Sequence, residues 1–540
     1  MKRINILFYF GLLALIAACS KDEKIQPQIT PTIVDTMTTI TPTPTPTIAI
    51  PTYADDYASI AGWDNHASWN LANVHDPTVA KYGDYYYMYQ TDASYGNASF
   101  GHGHFACRRS KDLVNWEYRD APMNNTPAWV LDSVNNIRSK MGLVPITNPN
   151  YGHWAPVVRK VGNKYRMYYC IVVDNYIKTG LPGSAAFDGS WGERAFIGLM
   201  ETDNLEQNVW VDKGMVVMSS TDRGNNWARA NTNDWSAYFK WNAIDPSFIE
   251  GANGQQWLIY GSWHSGIVAV QINPATGKPF QLNTLADYGV RIARRENNDA
   301  NRWQGLEAPE IVYNAQTGYY YLFMAYDELG VAYNTRVCRS QNITGPYLDY
   351  TGKDVTAGAE CWPMVTHPYK FNNHSGWVGI SHVGVFKDES TGDWYLTSQG
   401  RLPANTNNNP YSNALMMGHV RQLRWTENGW PVAMPERYAA VKDSTISTAD
   451  LVGTWENITL NYQFQGMQTS QNLILSSNGT ASGALTGGWS YDAVKKKLTI
   501  GSQSVYVERG LDWEANPRKK TIIYSGINTT GRSLWGKKVN

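Results

Sequence analysis

Apolar and polar residues alternate with a period of two through most of the chain, and Gly, Asn, Asp and Pro interrupt the alternation at short intervals. That pattern predicts strands joined by hairpins. Five segments share one outline: a corner ending in Pro or Gly, a turn containing Gly, and an aromatic-rich strand. The first reads His75-Asp76-Pro77, Gly83 and Tyr85 to Tyr89, and the second Trp154-Ala155-Pro156, Gly162 and Tyr165 to Tyr169. The third is Ile244-Asp245-Pro246, Gly254 and Trp257 to Tyr260, and the fourth Glu307-Ala308-Pro309, Gly318 and Tyr319 to Met324. The fifth is Ser381-His382-Val383-Gly384, Gly392 and Trp394 to Thr397. Five equivalent corners predict an all-β fold with a five-bladed β-propeller over residues 54–443, because sheets repeated around an axis leave only short edges. A sandwich does not call for five such corners. After about Ser444 the pattern changes to short alternating strands with Gly and Asn turns, predicting a small C-terminal β-barrel or sandwich over residues 444–540. The inserts Met123 to Pro149 and Asp174 to Arg194 read as loops.

The N-terminus stands apart. Lys2 and Arg3 precede an apolar run from Ile4 to Ala18, too short for a convincing spanning helix and built like a secretory signal. Cys19 directly after Ala17-Ala18 resembles a lipobox, making Cys19 the expected acylated first residue of a mature lipoprotein. Ser20-Lys21-Asp22-Glu23 resembles the acidic signal that places some lipoproteins on the outer surface of double-membraned bacteria. Residues 20–53, rich in Thr and Pro, predict a semi-extended spacer. The expectation is an outer-membrane-anchored, surface-exposed monomer that touches the membrane only through its lipid.

Lys plus Arg and Asp plus Glu both number 46, so the formal charge is zero and neither nucleic acid nor an acidic surface is an expected partner. The 22 Trp and 34 Tyr suit a β-rich core, sugar-stacking platforms, or both. Cys107, Cys170, Cys338 and Cys361 lie far apart without a CxxC pair and read as buried free thiols.

If the five corners are equivalent, Asp76, Trp154, Asp245, Glu307 and His382 converge at one mouth of the propeller. A lone Asp-Pro is ordinarily a turn. Three carboxylates at matching repeat positions instead point to acid–base chemistry.

At these residues the sequence resembles glycoside hydrolase family 43, in particular its two-domain extracellular endo-α-1,5-L-arabinanases. The motifs are Val74-His75-Asp76-Pro77, Asn242-Ala243-Ile244-Asp245-Pro246 and Leu306-Glu307-Ala308-Pro309. The family's second corner usually reads Trp-Ala-Pro-Asp, whereas Val157 follows Pro156 here. The resemblance implies an inverting hydrolase of plant arabinan, with Asp76 as general base, Glu307 as general acid and Asp245 as modulator and orienter of the acid. It further implies that His382 binds a largely water-coordinated calcium ion, and that Trp154, Asn242, Trp263 and His264 contact the sugar. Alternatives are an exo-acting α-L-arabinofuranosidase or β-xylosidase with the same carboxylates, or a glycan-binding propeller that does not cut. A retaining fructan-active propeller is disfavoured, because its Asn-Asp-Pro, Arg-Asp-Pro and Glu-Cys motifs are absent.

Overall fold

The computed structural model describes residues 49–92, 101–142, 144–173, 194–223, 239–296, 304–371 and 373–539. Cys19, the export signal and most of the Thr/Pro-rich spacer lie outside the described residues, as does nearly all of the second insert.

Five antiparallel sheets follow one another along the chain, each built from consecutive strands. The first strands of the five blades are Thr78–Tyr82, Tyr151–Val161, Ser247–Glu250, Leu306–Asn314 and Gly384–Lys387. One carboxylate ties four of them together. Glu310 accepts hydrogen bonds from Arg159 of blade two, Ser247 Oγ of blade three (2.7 Å) and the Val385 N–H of blade five (3.0 Å). Arg159 in turn donates to Thr78 Oγ1 of blade one at 3.3 Å. The first strands therefore meet around the axis. The ring closes where Leu71 to Val74 pair with the third strand of blade five, through Gly418 N–H to Leu71 O and Val74 N–H to Met416 O.

Each corner carries a residue with left-handed backbone: Asp76, Ala155, Asp245, Ala308 and His382, with φ between 44° and 56°. For a residue with a Cβ this conformation is strained, and it persists only where the surroundings enforce it. This alignment corrects the expected equivalence by one residue. Asp76, Asp245 and His382 occupy the same position, but in blades two and four that position is Ala155 and Ala308. Trp154 and Glu307 sit one residue earlier, on strands that already pair before the corner and are broken there by a bulge.

Residues 453–538 form a closed barrel of eight antiparallel strands, shut by pairing of Gly453–Thr459 with Ser533–Lys538. Trp455, Leu473, Leu498, Val505 and Tyr524 fill its interior. The barrel and propeller share a core, because Ile458, Leu460 and Trp535 pack into the cluster that holds Trp377, Phe371 and Met417. Tyr369–Lys370 pairs in parallel with Gln468–Thr469. Beneath this contact Lys537, 3 % exposed, meets Glu436 at 2.9 Å, Asp512 at 2.8 Å and Glu514 at 2.5 Å.

Three expectations are corrected. Cys338 and Cys361 are joined in a disulfide between the third strand of blade four and the segment leading to its outer strand, leaving Cys107 and Cys170 as buried free thiols. A 23-residue separation without local spacing carried no pairing signal, yet the hairpin-like return brings the two Cα atoms to 6.1 Å. The first insert contains a helix, Ala128–Lys140, which buries Val130, Val134 and Arg138 at four-residue spacing on one face. The end of the spacer is also anchored. Pro51 is buried, the Pro51 carbonyl accepts from Arg518, and Tyr53 packs on Trp513.

Candidate active site

The strained corners aim Asp76 and Asp245 into the same buried region, at 7 % and 6 % exposure. Asp76 is gripped on every side. Its N–H donates to Gln399 Oε1 at 3.0 Å, and Thr91 Oγ1 donates to its Oδ2 at 2.6 Å. Its Oδ1 lies 2.9 Å from His382 Nδ1, close enough for an ion pair, and 3.3 Å from His75 Nε2. Burial works against the Asp76 carboxylate, but the neighbouring imidazoles and the Thr91 hydroxyl override it and hold the group well below the usual carboxylate range.

Asp245 behaves in the opposite way. Burial, reinforced by the charges of Glu307 and Asp76 against the opposing pull of His382, pushes it up to about 8, so it carries a proton at neutral pH. Its Oδ2 accepts the Ala308 N–H at 3.0 Å, which fastens it to the corner bearing Glu307. Burial disfavours a charge on His382 too, yet the acids Asp76, Asp245 and Glu307 raise it to about 9. His75 is driven down to about 4, chiefly by burial, and stays neutral.

Glu307 is half-buried and receives three donors. Ser262 Oγ and Trp263 Nε1 both reach Oε2 at 2.8 Å, and Tyr333 OH reaches Oε1 at 2.6 Å. Trp263 itself stands on a left-handed backbone, as does His264. The indole for which the resemblance implies sugar contact also holds the Glu307 carboxylate. Asn242 Oδ1 accepts from Ser219 Oγ at 2.9 Å and its Nδ2 donates to the Ser262 carbonyl at 3.1 Å, steadying the residue that donates to Glu307. His264 is 6 % exposed, with its ring edge-on to Phe239. Trp154 is half-buried, and its ring lies over Gly152 so closely that a Cβ there would stand 2.5 Å from it. Only glycine lets that indole lie flat.

The structure thus brings Asp76, Asp245, Glu307 and His382 into one cluster of interacting groups, with Trp263 and Asn242 supporting it. Sequence reasoning missed Thr91, Ser262 and Tyr333, polar residues beside strand ends, and Gln399 within a strand, none of which carried a distinguishing signal.

A calcium ion at His382 is compatible with the donors present. The imidazole turns Nδ1 to Asp76, and no described residue occupies Nε2. A ring oriented by a carboxylate through one nitrogen is the usual posture of a ligating histidine. Asp76 Oδ1 faces Nδ1, across the ring from Nε2, so the rest of the six to eight ligands calcium prefers would be mostly water.

Residues 71–431 match the glycosyl hydrolases family 43, and residues 435–536 match a C-terminal lipocalin-like domain. The extracellular endo-alpha-(1->5)-L-arabinanase 2 of Bacillus subtilis (strain 168) is 25% identical over 488 residues, covering 86% of this chain and 93% of that protein. The extracellular endo-alpha-(1->5)-L-arabinanase of Thermotoga petrophila is 24% identical over 498 residues, 88% of this chain and 96% of that protein. Its kin among solved structures, the endo-1,5-alpha-L-arabinanase from Thermotoga petrophila RKU-1, superposes with a TM-score of 0.65 over 87% of this chain and 99% of that one, at 24% identity. The family 43 YxiA protein from Bacillus licheniformis gives 0.65 over 86% and 98%, at 25% identity. Propeller, acidic mouth and barrel each fall within these matches: the chain belongs to family 43 of the glycosyl hydrolases.

Proposed function

We propose that the protein hydrolyses internal α-1,5-L-arabinofuranosidic bonds of plant arabinan with inversion at the anomeric carbon. The observation that carries this reading is the divergence of the clustered acids. Asp76 is held ionised by His382, while Asp245 beside the Glu307 corner keeps a proton. An ionised Asp76 suits the base side of a site, and a protonated Asp245, fastened to the Ala308 N–H, spares the Glu307 corner a further full negative charge.

Asp76 is the general base that draws a proton from the attacking water, and Glu307 protonates the departing sugar oxygen. The Trp263 indole can only donate, so Glu307 Oε2 remains an acceptor and the transferable proton belongs on Oε1, beside Tyr333. Asp245 holds or releases its own proton and thereby sets the charge that Glu307 meets. Trp154, flat over Gly152, offers a furanose ring a stacking face. His382 and water would hold a calcium ion, which would supply positive charge near Asp76. In its absence the raised His382 imidazolium supplies part of that charge. Chelation should then lower the melting temperature, calcium should restore it, and His382→Ala should abolish the response. Unchanged melting under chelation would remove calcium from this account.

The extracellular relatives and the signal-like N-terminus support secretion, and Cys19 is the residue we assign to lipid anchoring at the outer membrane. Linear arabinan, branched arabinan and xylan offered in parallel test the substrate. Reducing ends should appear fastest from linear arabinan, and preferential release from xylan would overturn the assignment.

A further inference from the structure

Beside the catalytic mouth lies a second constellation that the proposed mechanism does not use. Asp92, at the end of blade one's second strand, faces His104 from the segment before the third strand and His153 from the first strand of blade two. Both imidazoles present Nδ1 to the same oxygen. His104 Nδ1 is 2.6 Å and His153 Nδ1 is 3.5 Å from Asp92 Oδ2, and the rings are stacked 3.4 Å apart at 15°. The ligand atoms of the three residues lie within 4.8 Å of one another.

We propose that Asp92, His104 and His153 bind a divalent cation of the imidazole-preferring class, with Zn2+ as its representative. A proton shared between His104 and Asp92 satisfies one imidazole, but His153 Nδ1 stands beyond good hydrogen-bond reach of the same oxygen. The His153 side chain is 3 % exposed, and with its Nε2 set against Thr126 Oγ1 at 2.9 Å, Nδ1 is the nitrogen turned to the site. Among the described residues, no lysine or arginine pairs with Asp92. Zinc bonds to imidazole and carboxylate at about 2.0–2.2 Å, which places tetrahedral ligands about 3.3 Å apart. His153 already stands near that separation from Asp92, His104 reaches it by withdrawing less than about 1 Å, and the two stacked rings turn apart so that both Nδ1 lone pairs meet one ion.

The supports behind the three side chains also suit a metal. Thr126 Oγ1 lies 2.9 Å from His153 Nε2, the Phe105 N–H donates to Asp92 Oδ1 at 2.9 Å, and the Asp92 N–H donates to the His153 carbonyl at 3.0 Å. Partners of this kind fix tautomer and ring orientation in metal sites. With side-chain exposures of 16 %, 11 % and 3 % for His104, Asp92 and His153, the cluster is sheltered yet open to entry. Its place gives it a role. Asp92 follows Thr91, which holds Asp76, and His153 precedes Trp154, so a bound ion latches blades one and two together beside the base.

The test is calorimetric titration of Zn2+ into the untagged mature chain after chelator treatment and dialysis. Wild type should bind one equivalent that survives His382→Ala, which separates this site from the calcium position. His104→Ala and His153→Ala should each weaken binding at least ~100-fold, and Thr126→Val, which keeps every ligand, about tenfold. X-ray absorption of the zinc-loaded wild type, which depends on no variant folding, should show two imidazoles in the shell. Zinc binding lost only in His382→Ala, binding unchanged in His104→Ala, absence of binding to wild type, or a zinc shell without imidazole would each overturn the proposal.

Discussion

The Thr91 hydroxyl donates to Asp76 Oδ2 at 2.6 Å while its oxygen accepts the Ala155 N–H at 2.7 Å. The amide from blade two settles which way the hydroxyl points, since an oxygen that accepts there turns its single proton to the carboxylate. Removing it should cost the ionised base a hydrogen bond to charge, about 1.5–3 kcal/mol. Thr91→Val should lower kcat/KM by roughly ten- to a hundredfold and move the acid limb of its pH profile upward, because the Asp76 carboxylate loses a stabilising donor. A profile that drops in height without moving on the pH axis would mean that Thr91 serves packing alone.

Asp76→Ala and Glu307→Ala should both reduce hydrolysis of polymer by several orders of magnitude while the chain still folds. The two separate on an arabinofuranoside whose leaving group needs no proton: Glu307→Ala should recover much of its rate and Asp76→Ala should not. Equal loss on both substrates contradicts the division of roles.

The raised groups make stability depend on pH. Between pH 6.5 and 8 the folded chain keeps a proton on Asp245, at about 8, and on His382, at about 9, while the unfolded chain has released the first and is releasing the second. At these two sites the folded state therefore binds more protons, and their contribution to stability falls as pH rises through this window, by up to about 1.4 kcal/mol per unit for each group. Asp245→Asn removes one share, so in chelator its stability relative to wild type should increase from pH 6.5 to 8. Parallel stability curves would rule out a proton on Asp245.

Glu310 joins four blades through one carboxylate, and truncating it leaves Arg159 and the Val385 N–H without their acceptor. Glu310→Ala should destabilise the propeller by about 3–5 kcal/mol, read from denaturant midpoints. A loss below about 1 kcal/mol would show that the axis is held by strand packing instead.

The corners were legible because each couples a polar or small residue to a strand start, and in four of them the following residue is proline. The one-residue offset of Trp154 and Glu307 was not, because it arises from a bulge, and a bulge is a property of the partner strand as much as of the sequence. Tyr333 looked like one more aromatic at a strand start, and its grip on Glu307 depends on two segments meeting across blade four. Cys338 and Cys361 likewise became neighbours only once the blade was built. Helix Ala128–Lys140 was hidden among turn-forming residues, since its buried stripe of Val130, Val134 and Arg138 includes a charged member.

The anomeric configuration of the first-formed product reports directly on Asp76. Proton NMR should show inversion, and a retained anomer would make Asp76 a nucleophile instead of a base.

Whether this site cuts arabinan from within is tested most directly by the size distribution of products from linear arabinan at a few per cent conversion. Wild type should produce a ladder of arabino-oligosaccharides with little free arabinose, and Asp76→Ala and Glu307→Ala should produce neither. Free arabinose as the dominant early product would contradict internal cleavage, and a ladder surviving in either variant would place the chemistry elsewhere.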